Sequence, residues 1–502
     1  MLPEVARLNP FAAVYRYVSG HPIGFWFIFW GELAERCSYY GMRAILLLYM
    51  INRLGFSEVD GEASKIMHYF MASCYFLPLL GGWIADNYLG KYWTIVGFSL
   101  PYILGHFVLG IENRTCLFIA LGLLAMGTGV IKPNISTLMG LTYDQRRPGN
   151  EQLRSDAFSI FYAAINIGSA ISTTLLPSVR DAYGYQIAFL VPAALMVVAF
   201  FFFTIGKRFY AVETIRPRVS FALFKSLWSM LQLIFSTVNG NAEGARRSAL
   251  ELTRVAPEWR LQLDVLYRLS GVLLIVTAFW MIFDQHASTW TLFAKDHLDL
   301  EVRIGSFSKT LAPDQIQSLN PWFIIALLPV MAIVWRMLPK FGIHLKPTSK
   351  MAIGFVLTGS CMALMCLAAY RAGEGRVSVA WQIAAYLLIT VAEICISVVG
   401  LELSFSVAPR TMKSFVSACW LMPVGIANLL NAKITPLYAH MGPTQFFGVL
   451  ALVLVPVTIV FLIVAAWFNR AAATWQYVDP QAPLDVPPAS MEVEGQAIEA
   501  AG

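Results

Sequence analysis

Thr444–Phe468 reads TQFFGVLALVLVPVTIVFLIVAAWF, and Ala188–Ile205 reads AFLVPAALMVVAFFFFTI; neither run contains an Asp, Glu, Lys or Arg. A stretch of about 20 apolar residues is long enough to cross ~30 Å of hydrocarbon as a helix. In that medium every backbone amide must be satisfied internally, so only helices or closed barrels span it. The residue alternation that a barrel strand needs is absent here. Similar runs recur along all 502 residues, of which 58% are hydrophobic and 13% charged. A soluble domain of this length would carry about 25% charged residues. The chain is therefore read as all-α and polytopic in the membrane.

Candidate spans fall near residues 23–51, 63–87, 93–111, 116–141, 156–178 and 186–207. A second set follows near 267–290, 314–338, 350–370, 379–407, 413–437 and 445–468. This divides the chain into an amino-terminal segment (1–22), a six-helix bundle (23–207), a basic linker (208–266), a second six-helix bundle (267–468) and a tail (469–502). With the amino terminus inside, roughly 22 Lys and Arg fall in cytoplasmic segments and roughly 10 in external ones, which supports that orientation. The expected location is the inner (plasma) membrane of the cell, with both termini cytoplasmic. The net charge of +6 follows this topology and does not point to nucleic acid.

Within the linker, residues 219–238 are apolar enough for a thirteenth span. However, Lys225, Ser226, Ser229, Gln232 and Ser236 share one face, and Phe221, Phe224, Trp228, Leu231 and Phe235 the other. That is the pattern of a helix lying in the membrane interface. An extra crossing would also invert the charge bias downstream, so twelve spans are expected. The Pro-rich segment after Asn469 reads as a disordered cytoplasmic tail. The first apolar run has no small-residue cleavage site and is read as a retained span. The seven cysteines show no CxxC pairing and read as buried apolar residues.

Ionisable residues inside such spans are functional candidates, because burying one near the bilayer centre costs about 2.5–3.5 kcal/mol on insertion scales. The first span holds Glu32, Glu35, Arg36 and Arg43, whose offsets of three, four and seven put them on one stripe with Tyr39 and Tyr40. Lys132 lies in the fourth span, Asp284 in the seventh and Glu393 in the tenth. The bland alternative is mutual neutralisation of charged pairs inside a bundle. A lone His68 weighs equally as a bonded core histidine. Trp290, Trp322 and Trp467 read as interfacial anchors, and Arg268 as a snorkelling residue.

Six plus six spans with a basic central loop resemble the major facilitator superfamily, whose substrate site lies at mid-depth between two rocking halves. The motif Gly82-x-x-x-Asp86-x-x-x-Gly90-Lys91 supports that resemblance. Longer stretches are similar to the proton-dependent oligopeptide transporter family: Gly31-Glu32-Leu33-Ala34-Glu35-Arg36-Cys37-Ser38-Tyr39-Tyr40-Gly41-Met42-Arg43, Gly81–Gly90, Phe158–Ser169, Phe279–Gln285 and Val399–Ser406.

The resemblance implies that Arg36 and Lys132 attract a peptide carboxylate, with Glu32 and Glu35 as pairing and protonation partners. It implies that Glu393, Asn166 and Asn320 hold the peptide amine, and that Tyr39, Tyr40, Tyr75 and Trp420 line the pocket. Arg43 would pair with Asp284 at an outer gate, and His68 matches a histidine used in proton handling. The expected function is proton-coupled symport of di- and tripeptides by a monomer without cofactor or metal. Two departures stand out. The linker lacks the full helix pair of many bacterial members. The eighth-span position expected to carry an aspartate partner for Arg268 is Ala332.

A plain-anion carrier, for nitrate for example, would need Arg36 and Lys132 but not Glu393. A proton-driven drug exporter would seldom want so dense a cationic patch. A membrane enzyme or receptor finds no support, since no nucleophile–base pair, metal-ligand set or nucleotide loop is evident.

Overall fold

The computed structural model describes residues 19–213, 258–304, 307–373, 375–407 and 419–478, with a few isolated linker positions. Among these residues, eight segments are long and apolar enough to cross a bilayer. Two of the eight are double crossings. Glu62–Leu109 turns at Gly90 (φ 76°), and Gln152–Phe209 turns at Gly184 (φ 83°). Both turns need a left-handed backbone that only glycine adopts without strain. Helix Ile23–Asn52 is a further span that hydropathy overlooks because of its four charged residues. Met422–Ile434 is the described part of another. Together these make twelve crossings among the described residues.

The first span packs chiefly on the fifth and sixth, the fourth on the second and third, and the ninth on the tenth and twelfth. The two bundles meet where the second span lies on the eleventh and the fifth on the eighth. Small residues permit the closest approaches. A Cβ on Gly168 would lie 2.9 Å from Leu33 O, and one on Gly81 2.6 Å from Val130 Cα.

Several spans are broken where polar residues sit. The seventh runs as helix Glu258–Phe283, a 3-10 turn Asp284–Ala287, then helix Thr289–His297. The tenth passes from α-helix (Ala380–Glu393) into a π turn (Ile394–Val398) directly after Glu393. A second π turn, Ala85–Leu89, carries Asp86 of the glycine-rich loop. Such bulges recur at functional sites. In the loop after the seventh span, strands Glu301–Ile304 and Phe307–Thr310 pair antiparallel, Glu301 opposite Thr310. Leu298–Asp299 pairs parallel with Val377–Ser378.

Two expectations are corrected. The last helix, Pro443–Val478, continues past Asn469, so a tail begins no earlier than residue 479. The intervening AAATWQYV has no Gly or Pro to stop it. Trp290 is not an interfacial anchor: it is fully buried, edge-on to Tyr386 at 5.0 Å, with its carbonyl bound by Gln382. The proposed interfacial helix at 219–238 falls almost wholly outside the described residues.

Candidate functional site

The first-span stripe forms a buried charge cluster. Arg36 Nε lies 3.1 Å from Glu32 Oε1, and the guanidinium is also ion-paired with Glu35; all three side chains are buried. Thr128 Oγ1 of the fourth span donates to Glu35 at 3.4 Å. One turn further along the fourth span, just before the helix-distorting Pro133, Lys132 Nζ stands 4.5 Å from the centroid of Tyr75. The guanidinium of Arg36 lies 5.7 Å from the ring of Tyr39, which meets Tyr40 edge-on. Arg36 Nη2 and Glu32 Oε2 are buried without hydrogen-bond partners among the described residues. These are valences that a ligand can take.

The second half contributes a carboxylate. Glu393 Oε2 accepts from Asn320 Nδ2 at 2.8 Å, and the same amide reaches Thr390 at 3.2 Å. The expected Asn320–Glu393 grouping is thus present. Asn166 instead donates to the carbonyl of Tyr162, one turn back in its own helix. Trp420 is buried against Gly400, where a Cβ would come within 2.0 Å of the indole.

Further along the first span, Arg43 does not pair with Asp284. Its Nη2 donates to His286 Nε2 at 3.0 Å, and its guanidinium covers Tyr40 at 5.2 Å. Asp284 accepts from Asn428 Nδ2 at 2.6 Å. Asn428 Oδ1 lies 2.8 Å from His68 Nδ1, while His68 Nε2 lies 2.9 Å from Ser288 Oγ. His68 is therefore both buried and bonded, and it joins the second span to the seventh and eleventh. Gln317 reaches the carbonyl of Ala44, Trp322 bonds Thr174, and Arg180 is ion-paired with Asp314. Lys295 bonds Glu58 at 2.6 Å. These bonds tie the two bundles to each other.

Sequence reasoning missed His286, Asn428, Ser288 and Thr128. Asn428 and Asn431, three apart on the eleventh span, were the available signal, because two amides on one membrane-helix face need partners. Arg180 and Asp314 sit at span ends, where charge is ordinary, and nothing in the sequence linked them. Arg268 covers Trp467 at 4.5 Å.

Twelve spans in two halves, with a buried polar site contributed from both, define a membrane carrier of the major facilitator type. The profile of the POT family matches residues 92–447, and the chain belongs to that family. It is 35% identical over 370 residues to human solute carrier family 15 member 2, covering 70% of this chain and 49% of that protein. It is 33% identical to rat solute carrier family 15 member 1, covering 69% and 52%. The chain thus spans about half the length of these curated relatives. Among solved structures, the POT family transporter PepTSo superposes with a TM-score of 0.76 at 28% identity, covering 91% of this chain and 99% of that one. A mutant peptide transporter bound to alafosfalin gives 0.75 at 25% identity, covering 90% and 96%.

Proposed function

We propose that this chain imports di- and tripeptides together with protons, by alternating access about a central site between the bundles. One observation carries the reading: the cations Arg36 and Lys132 stand on the first half, and the Glu393 carboxylate stands on the second. A zwitterionic short peptide has a carboxylate for the former and an ammonium for the latter. Bridging the halves requires only groups common to every short peptide, which leaves the side chains loosely specified.

Charge counting links the proton to the peptide. Glu32, Glu35, Arg36 and Lys132 sum to neutrality when all are ionised. A peptide carboxylate arriving there adds one negative charge in a low-dielectric site. A proton on Glu35 cancels it and releases Arg36 to the ligand. The solved structure named above as a peptide transporter supports the substrate class. The distribution of Lys and Arg supports an inner (plasma) membrane protein with both termini cytoplasmic. Both halves of the site come from one chain, so a monomer suffices.

The test is uptake of labelled di-Ala by proteoliposomes under an inside-negative, inside-alkaline gradient. Concentrative uptake that a protonophore abolishes is expected. Gradient-driven accumulation of nitrate without di-Ala uptake would overturn the proposal.

A further inference from the structure

We infer that the crevice between the eighth and ninth spans, at the membrane surface, binds the headgroup of an anionic phospholipid. The inference rests on the chain being a membrane protein and not on its substrate. The eighth span ends at Met337, turns through Leu338–Phe341 and left-handed Gly342 (φ 77°), and the ninth begins at Pro347. This corner encloses a cavity of about 310 Å³ lined by Trp335, Pro339, His344, Leu345, Lys346 and Lys350. That volume sits at the lower end of the range for small-ligand sites, about 300–1,000 Å³.

Charge identifies the ligand. Arg336, Lys340, Lys346 and Lys350 crowd this corner with His344, yet no Asp or Glu occurs between Asp314 and Glu374. None of the four cations has an ion pair among the described residues. Lys350 Nζ is held 5.0 Å from the Trp335 ring centroid. The aromatic face positions the ammonium as a cation–π contact and accepts no conventional hydrogen bond, so the protons turned away from the ring remain for an acceptor. Positive-inside topology explains that basic residues occur here, but not that Lys346 and Lys350 both line a cavity and have no ion pair among the described residues.

Apolar surface then distinguishes a lipid from a soluble anion. Val330, Ile333 and Met337 are exposed at offsets of three and seven and form one stripe down the eighth span. Phe341 and Ile343 are exposed beside the cavity mouth. A phospholipid satisfies both features, with phosphate on the cations and acyl chains along the stripe; basic pockets between transmembrane helices are known to take such headgroups. The acidic residues after Val478 (Asp479, Asp485, Glu492, Glu494 and Glu499) offer matching charge, but such a segment would leave the apolar stripe uncovered.

Native mass spectrometry of the full chain in detergent, titrated with phosphatidylglycerol or phosphatidylcholine, tests the site. Phosphatidylglycerol should be retained about tenfold better. Lys346→Gln/Lys350→Gln should remove most of that preference, while Arg147→Gln/Arg154→Gln, which removes two other cytoplasmic-side charges, should leave it intact. An unaltered melting temperature in the first double variant checks its fold; if it melts lower, Lys350→Gln alone is read instead and should still weaken the preference. A chain ending at Val478 should bind the lipid as the full chain does. Equal retention of the two lipids, or no loss in either lysine variant, overturns the inference. So does a gain in lipid binding on truncation, which would make the acidic segment the occupant. Displacement of phosphatidylglycerol by millimolar inorganic phosphate would reveal a free-anion site instead.

Discussion

Arg43 Nη2 donates to Nε2 of His286 across 3.0 Å, which joins the first span to the seventh and so one bundle to the other. Arginine has no acceptor, so Nε2 must carry a lone pair. The ring proton then lies on Nδ1, which donates to Phe283 O at 2.5 Å. A second proton on the ring would set donor against donor and cation against cation. Acidification should therefore loosen this latch. Spin labels at Val59 and Lys309, exposed on opposite halves, should move apart as pH falls. His286→Gln, which still accepts but does not titrate, should hold the short distance at both pH values, and His286→Phe should show the long one throughout. Identical distance distributions in all three proteins would remove His286 from the gate.

Asp284 and His68 are joined through one amide. Asn428 uses Nδ2 on Asp284 and on Val424 O, so its Oδ1 must accept from His68 Nδ1–H. Neutralising Asp284 leaves the amide in place but removes the anion that answers the nearby positive charge. Asp284→Asn should permit di-Ala exchange but no accumulation against a gradient, or should shift the pH profile of uptake. Asn428→Leu breaks both links and should shift the protein toward an open outer mouth. A wild-type accumulation ratio and pH profile in Asp284→Asn would count decisively against a coupling role.

Glu35 and Lys132 test the charge balance. Glu35→Gln or Lys132→Ala should abolish proton-driven accumulation, while counterflow of di-Ala can survive. Removing one partner of a buried charge set leaves the other uncompensated, a loss of about 3–5 kcal/mol that relaxation reduces. Both variants therefore need a melting curve beside the transport assay. Full concentrative uptake in both would defeat the assignment.

The charges inside apolar runs were legible because a membrane makes each one conspicuous. Glu32, Glu35, Arg36, Lys132 and Glu393 needed no structure to be singled out. Their pairings were less legible. Arg43 reaches His286 and not Asp284, because the seventh helix breaks into a 3-10 turn at Asp284 and redirects the side chains that follow. No local sequence signal announces that break. Uncharged groups such as Asn428, Ser288 and Thr128 are tolerated anywhere in a bundle, so only their contacts distinguish them. Trp290 misled for a related reason: its place near a span end suggested the interface, but the chain continues as helix to His297 and buries it.

Close packing sets the geometry of the site as firmly as charge does. Gly400 leaves room for the Trp420 indole, and Gly168 lets the fifth span rest on Leu33 and Arg36. Gly400→Ala should displace Trp420 and lower the melting temperature, consistent with an overpacking cost of about 1–3 kcal/mol. It should also weaken di-Ala binding several-fold if Trp420 lines the pocket. Stability lost without any change in affinity would confine Trp420 to a structural role.

Glu393 separates peptide carriage from anion carriage. Its carboxylate accepts from Asn320, whose amide also reaches Thr390, and neither residue carries charge, so an ammonium would be its first full countercharge in this cluster. A nitrate ion would be repelled there. Hydrogen bonds to charged groups contribute about 1.5–3 kcal/mol, or about 10- to 150-fold in affinity. Amino-terminally acetylated di-Ala should therefore compete for uptake at least tenfold worse than di-Ala. Glu393→Gln should cripple di-Ala binding and largely erase the difference between the two ligands, since an amide answers neither as a charge. Asn320 supplies a second check. Asn320→Ala frees the carboxylate from its neutral donor but leaves its charge, so the preference for a free amine should persist even where affinity falls. Equal competition by the two compounds in the wild type would show that Glu393 does not hold the amine.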